Sequence, residues 1–257
     1  MSALTLKNIT LKFGGLTAVN DLSFDIPAGS ITSIIGPNGA GKTSVFNMIT
    51  GFYRPSSGQI LLQDENLVGK KPSQITCMGM ARTFQNLRLF PNLTVLDNVK
   101  AGMHGRTKQT VWGALWQTRA QKQEEQLIEE TARACLNFVG IEEYSERIAK
   151  NLPYGAQRYL EIARALATQP RVLLLDEPAA GLNYEEKENL IALIRRVRET
   201  YQLTVVIIEH DMGLIKKISE RVIVLDYGQK IAEGTPVDVL NHPRVVEAYL
   251  GKEEEAV

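Results

Sequence analysis

An excess of charge of either sign is missing from this sequence: its 257 residues carry 29 Lys and Arg against 29 Asp and Glu, a formal net charge of zero. A nucleic-acid domain needs a basic surplus to displace counterions from phosphates, so no nucleic-acid partner is expected. Long apolar runs are missing too. The longest are of the kind Val172-Leu173-Leu174-Leu175 and Val205-Val206-Ile207-Ile208, far short of the ~20 residues that cross a bilayer. The opening Met1-Ser2-Ala3-Leu4-Thr5-Leu6-Lys7 lacks the basic segment and apolar core of a secretory signal, and the expected compartment is the cytosol. Only two cysteines occur, Cys77 and Cys135, far apart and without metal-ligand spacing. Neither a disulfide framework nor a zinc site is expected, and both thiols are read as buried. The triplets beginning at Asn8 and Asn92 match a glycosylation acceptor, but so short a pattern recurs by chance and a cytosolic chain never meets the enzyme.

What is present is an ordinary globular composition, 44% hydrophobic and 23% charged, which excludes disordered and fibrous classes and allows one domain with a subdomain. Residues 4 to 13 and Leu22 to Ile26 alternate apolar and polar side chains, the period of strands wet on one face, so the chain opens on an antiparallel sheet. Ser30 to Ile35, Val172 to Asp176 and Thr204 to Ile208 are nearly continuous in aliphatic residues, as strands buried on both faces are. Helix-forming segments at Lys42 to Thr50, Arg158 to Ala167 and Glu185 to Thr200 adjoin them, which predicts an α/β core with a parallel sheet. The Val222-Ile223-Val224-Leu225, Gly228, Ile231 pattern predicts a closing hairpin.

From about Leu93 to Ala167 strand signals vanish, and Gln121 to Asn137 has the period of a charged amphipathic helix. The expected organisation is an α/β core with antiparallel subdomain over 1–92 and 168–257, interrupted by a helical subdomain over 93–167. Lys252-Glu253-Glu254-Glu255 reads as a solvated tail. Trp112 and Trp116, one helical turn apart and flanked by Arg106, Lys108, Arg119 and Lys122, admit two readings. Aromatic pairs at this spacing usually pack in a core, while a basic aromatic helix also suits contact with a membrane subunit or lipid headgroups.

Gly36-Pro37-Asn38-Gly39-Ala40-Gly41-Lys42-Thr43 fits G-x-x-x-x-G-K-[ST] between a buried strand and a helix, the context that motif needs. A chance match in a chain of this length is expected about once in a hundred sequences. Small residues let backbone N–H groups turn inward around phosphate oxygens, and the helix opening near Lys42 adds its positive end. Lys42 would reach the β- and γ-phosphates, and the Thr43 hydroxyl would ligate Mg²⁺. Asp176 and Glu177 stand at the carboxyl end of another buried strand, where open α/β sheets bind ligands. Asp176 would complete the Mg²⁺ shell, and Glu177 would orient or deprotonate the attacking water. His210 follows the third buried strand and its placement favours a role, whereas His104 and His242 have no such context. Gln85 ends an apolar run; by itself it would read as a surface amide.

With Leu152-Pro153-Tyr154-Gly155-Ala156-Gln157-Arg158, about twenty residues before the acidic strand end, the chain resembles the ATP-binding subunit of ABC transporters. The order is complete from Leu4 to Gly251: phosphate loop, glutamine loop at Gln85, signature at Leu152 to Gln157, acidic strand end, Ala180-Gly181-Leu182-Asn183, and His210. The resemblance implies a P-loop NTPase cassette, binding ATP and Mg²⁺, that pairs head to tail with a second cassette, a copy or a paralogue. Each ATP would lie between one phosphate loop and the partner's signature. It implies that Phe13 stacks on adenine with Val19 beside it, although as pure sequence Phe13 reads as a core residue. It adds Asn38, Gly39, Ala40, Gly41, Ser44, Pro153, Tyr154, Gly155 and Gln157 to the nucleotide contacts, and gives Gln85 and His210 the sensing of the γ-phosphate, Gln85 also near the metal. Most such cassettes carry a serine where Pro153 stands; proline has neither hydroxyl nor N–H, so nucleotide-driven pairing is expected to be weaker here.

Phe13-Gly14-Gly15-Leu16-Thr17-Ala18-Val19, Arg82 to Phe90, Ala179 to Asn183 and Glu209-His210-Asp211-Met212, with the extra stretch between Met103 and Gln126, look like the cassettes of branched-chain amino acid importers. That subfamily includes urea and amide cassettes. The resemblance implies an ATPase peripheral to the cytoplasmic face of the cell membrane, with two membrane permease subunits and, indirectly, a substrate-binding protein. The contrasting reading is a soluble ATPase switch; the long coiled coil or duplicated cassette of repair and translation proteins is absent, while a single cluster-assembly cassette is less well separated by sequence order.

Overall fold

The computed structural model describes residues 1–103 and 119–250. Trp112, Trp116, His104 and the acidic tail at 252–255 lie outside the described residues. The chain forms two compact units, Met1–Ile75 with Arg171–Val257, and Thr76–Pro170.

The first unit holds two sheets. β1 (Ser2–Phe13) and β2 (Leu16–Pro27) form an antiparallel hairpin turning at Gly14 and Gly15. With β4 (Ser57–Leu62) and β5 (Glu65–Asn66) they make a sheet in the order β2-β1-β4-β5. The alternation read in the sequence is the burial pattern: Leu4, Leu6, Ile9 and Leu11 are buried on β1, with Leu22, Phe24 and Ile26 on β2. In the second sheet, β3 (Ile31–Ile35), β7 (Val172–Asp176) and β8 (Thr204–Ile208) have every residue buried. β8 pairs in parallel with both β3 and β7, and β3 pairs in parallel with β9 (Arg221–Asp226). β9 turns into β10 (Gln229–Gly234), the expected antiparallel hairpin. Because β3, β7 and β8 run the same way, their carboxyl ends share one edge. Helices α1 (Lys42–Ile49), α6 (Tyr184–Tyr201), α7 (Met212–Ile218), α8 (Pro236–Leu240) and α9 (Pro243–Leu250) belong to this unit.

Helix α2 (Pro72–Cys77) leads into the second unit, where a short strand β6 (Met80–Arg82) precedes α3 (Val95–Met103), α4 (Arg119–Val139) and α5 (Tyr154–Ala167). These three helices pack on one another. Helix α4 buries Ile128, Ala132, Cys135, Leu136 and Val139, the apolar stripe expected of its amphipathic period. Residues 76–92 fall in the same compact unit as these helices. Asn98, fully buried on α3, accepts the Phe90 N–H at 2.8 Å and donates to the Phe90 carbonyl at 3.0 Å, and side chains of α5 bond to the backbone of Phe84, Gln85 and Arg88. Among the described residues no helix is long and apolar enough to cross a membrane. One thiol reading is corrected: Cys135 is buried, which raises its pKa to about 11, but Cys77 is exposed. It ends α2, a helix whose buried face consists of Ile75.

Candidate nucleotide site

The loop after β3 is shaped by positions where a side chain cannot stand. At Gly36 (φ +150°) a Cβ would lie 2.1 Å from the Leu225 carbonyl oxygen, and at Gly41 (φ +95°) 2.8 Å from that of Ala18. Both glycines therefore let the loop settle against neighbouring backbone. The β9–β10 turn ties it down further: Gly228 N–H donates to the Ala40 carbonyl at 3.1 Å, and Asn20 N–H to the Gly228 carbonyl at 2.9 Å. Helix α1 starts at Lys42 with Gly41 at its cap and no side-chain cap, which leaves its positive end to the loop. The Lys42 ammonium arches over the loop, donating to the Gly36 carbonyl at 2.7 Å and the Pro37 carbonyl at 3.0 Å. Asn38, Gly39 and Thr43 are exposed, Ser44 is half-buried and Ala40 is buried. Val19, expected beside the nucleotide, is fully buried. Its Cγ2 lies 3.5 Å from where a Cβ on Gly41 would stand, directly against the loop. Phe13, which strand alternation alone reads as a core residue and the resemblance reads as the adenine-stacking ring, is 46% exposed. Its ring meets Tyr53 edge to face, 5.3 Å between centroids, leaving apolar surface for a planar ring.

Asp176 ends β7 and is buried. Glu177 follows in a left-handed conformation, φ +47°, rare for a residue with a side chain. Its N–H donates to the Ile208 carbonyl at 2.9 Å, which carries the strand pairing one residue beyond the sheet. Sequence reasoning missed the group that holds this edge together. Glu209, 1% exposed, accepts N–H bonds from Ala179 at 2.9 Å, His210 at 3.0 Å and, longer, Asp211 at 3.4 Å. One carboxylate thus joins the loop after β7 to the loop after β8. The signal was available as an acidic residue closing a run that is otherwise wholly buried.

The exposed His210 ring brings Nδ1 to 3.9 Å from Glu177 Oε2 and 3.8 Å from Glu209 Oε2, beyond direct hydrogen-bond reach. Asp211 caps α7 by accepting from Gly213 and Leu214 N–H. It also takes a 2.7 Å bond from the Lys187 ammonium, which, with the other contacts, holds its carboxyl below the usual range. Asn183 caps α6 through a reciprocal pair with Glu186. Phosphate loop, Asp176, Glu177 and His210 are thus brought to one edge of one sheet, as open α/β sheets place their ligand sites.

In the second unit, Gln85 is exposed. Pro153 is the cap residue of α5 and gives it no side-chain bond. Tyr154 opens the helix and is exposed, with Gly155 following half-buried. Gln157 turns back, its amide donating to the Leu152 carbonyl at 2.9 Å.

A family profile described as "ABC transporter" matches residues 19–180, and one described as "Branched-chain amino acid ATP-binding cassette transporter" matches residues 229–255. The high-affinity branched-chain amino acid transport ATP-binding protein LivG of Escherichia coli (strain K12) is 44% identical over 249 residues, 97% of this chain and 98% of LivG. The crystal structure of the ADP conformation of an ATP-binding cassette of an ABC transporter superposes with a TM-score of 0.85 at 31% identity, covering 98% of this chain and 99% of that one. A dimeric cassette in a post-hydrolysis state, bound to ADP and Pi, gives 0.76 at 26% identity, covering 91% and 98%. A nucleotide-shaped loop and an acidic strand end on one sheet, with similarity along nearly the whole length, lead to one conclusion: the chain belongs to the ATP-binding cassette family of ABC transporters, as an ATPase akin to the ATP-binding proteins of branched-chain amino acid transport.

Proposed function

We propose that the chain hydrolyses ATP to energise a branched-chain amino acid importer, at the cytoplasmic face of the membrane, paired with a second cassette and two permease subunits. The observation that carries this reading is the single sheet edge on which the phosphate loop, Asp176, Glu177 and His210 converge, in a chain that aligns over 97% of its length with LivG.

The residues fit the groups they would hold. A loop that has no room for a Cβ at two glycines, at the start of a helix, suits a triphosphate. Lys42 would exchange its two carbonyl partners for phosphate oxygens, a charge-assisted replacement that costs little movement. Phe13 would stack on the base. Thr43 and Asp176 are hard oxygen donors of the kind Mg²⁺ takes, with substrate phosphates and water filling its remaining positions. Among the described residues no cluster of three or more His, Cys, Asp or Glu side chains forms a metal cage of its own. Bound Mg²⁺ would supply charge neutralisation at the transferring phosphoryl group. Glu177, aimed by its left-handed backbone, would hold the attacking water and take its proton, and His210, beside it, would contact the γ-phosphate.

In the helical unit, Gln85 would face the γ-phosphate and metal, and the N-terminus of α5 would meet the partner's nucleotide through the backbone at Tyr154 and Gly155, with Gln157 holding the turn. Pro153 removes the usual serine donor from that contact, so pairing driven by ATP would be weaker than in a serine-bearing cassette. Affinity purification of the tagged chain from native membranes tests the assembly. Recovery with two integral membrane subunits and a second cassette supports it. Recovery alone or with soluble partners returns the reading to a cytosolic ATPase switch.

A further inference from the structure

Arg158 lies one turn into α5 and is 4% exposed, among the most buried charged residues of the described chain. Its guanidinium joins its own helix to the stretch that leads to Gln85. One terminal nitrogen donates to the Phe84 carbonyl at 3.0 Å and lies 3.4 Å from Glu161 Oε2. The other donates to the Gln85 carbonyl and to the Tyr154 hydroxyl, each at 2.8 Å. The Phe84 and Gln85 carbonyls belong to the peptide groups on either side of Gln85 Cα, so one side chain pins the backbone on both sides of that residue. The same helix face continues the attachment. Glu161, 2% exposed, accepts the Arg88 N–H at 2.9 Å, and Arg164 donates to the Arg88 carbonyl.

A buried arginine is a costly way to stabilise a helix pair. Desolvating the guanidinium and the Glu161 carboxylate offsets much of their attraction, and an apolar residue of similar volume commonly serves stability as well. Arg158 Nε is also buried without a hydrogen-bond partner, a further cost. What an apolar residue cannot supply is a rigid fork that fixes two successive carbonyls relative to the helix axis.

We infer that Arg158 is a positioning residue for hydrolysis, fastening the backbone of the glutamine loop to the signature helix so that Gln85 follows that helix as one body. The inference rests on the reading above that Gln85 serves the γ-phosphate. Tyr154, at the start of the same helix, shares the fork, so the residue that opens the signature helix and the backbone of Gln85 are held by one group.

The test uses the full chain purified from native membranes, with steady-state ATPase kinetics and thermal unfolding measured on Arg158→Met, Arg158→Lys and, in parallel, Gln85→Ala. Loss of the fork is expected to lower kcat about tenfold to a hundredfold, the scale of a misplaced catalytic group, while KM for ATP stays within about twofold. Arg158→Lys keeps a cation opposite Glu161, so its unfolding midpoint is expected near wild type, yet a single flexible ammonium lacks the planar fork that holds Phe84, Gln85 and Tyr154 together, and kcat stays low. If Arg158→Met does not fold, Arg158→Lys decides. A lysine variant with wild-type kcat overturns the inference and leaves Arg158 a structural residue. Slow Gln85→Ala beside normal Arg158→Lys overturns the inference alone, whereas normal Gln85→Ala overturns the role of Gln85 and the inference with it.

Discussion

Replacing Glu209 by alanine removes a buried acceptor shared by the loops after β7 and β8. Two of its bonds, from Ala179 and His210, have lengths of 2.9 and 3.0 Å, and the third, from Asp211, is weak at 3.4 Å. A hydrogen bond to a charged group contributes about 1.5–3 kcal/mol, and an orphaned buried N–H costs about as much. Counting the two good bonds at the lower end, and allowing for the relief of a buried charge, Glu209→Ala is expected to cost about 3 kcal/mol. For a chain of this size that lowers the unfolding midpoint by roughly 6–12 °C. Glu209→Gln retains one carbonyl acceptor but turns an NH₂ towards backbone donors, and about half the loss is expected. Urea titration of the three proteins measures the difference directly. Ala179 is two residues past Glu177, so kcat should fall with stability in both variants. A Glu209→Ala protein within about 0.5 kcal/mol of wild type, the range of an ordinary surface substitution, would show that the carboxylate does not tie the two loops.

Further outcomes follow from other sites. Glu177→Gln keeps ATP binding and lowers kcat by about 10²-fold or more; equal turnover by the variant removes Glu177 from the water. Gly41→Ala places a methyl group 2.8 Å from the Ala18 carbonyl at φ +95°, and equilibrium binding of ATP should weaken at least tenfold, with unchanged affinity counting against the shaped loop. The Asp211 carboxyl, whose folded pKa is lowered first by its bond to Lys187, contributes stability that is present above its unfolded pKa and lost as pH falls through the folded value. Lys187→Met should flatten that acid limb in a pH series of unfolding midpoints; an unaltered limb means the pair is idle. Pro153→Ser should strengthen ATP-driven pairing, read by light scattering, and no change in either pairing or turnover dismisses the effect assigned to proline.

Features encoded locally were legible before the structure. The antiparallel opening, the three fully buried strands and the phosphate loop depend on residue period or on a contiguous motif, and each is where the sequence places it. What was not legible depends on partners far along the chain. Glu209 acquires its meaning from Ala179, Arg158 from Phe84 and Gln85, and Asn98 from Phe90. The left-handed backbone at Glu177 leaves no mark on composition. Phe13, a core residue by strand alternation alone, is exposed, because alternation locates a face but not the position along the strand where the sheet stops being covered. Cys77 is exposed for a comparable reason, at the end of a helix too short to bury more than Ile75.

In the proposed importer, hydrolysis on this chain is coupled to recognition of an amino acid elsewhere. The direct measurement is ATPase turnover of the complex recovered from native membranes, reconstituted in vesicles with the substrate-binding protein that such an importer would use and offered leucine, isoleucine, valine or urea. Stimulation by the branched-chain amino acids is expected, absent with urea and abolished by Glu177→Gln. Stimulation by urea alone, or turnover indifferent to every solute, would rule that coupling out.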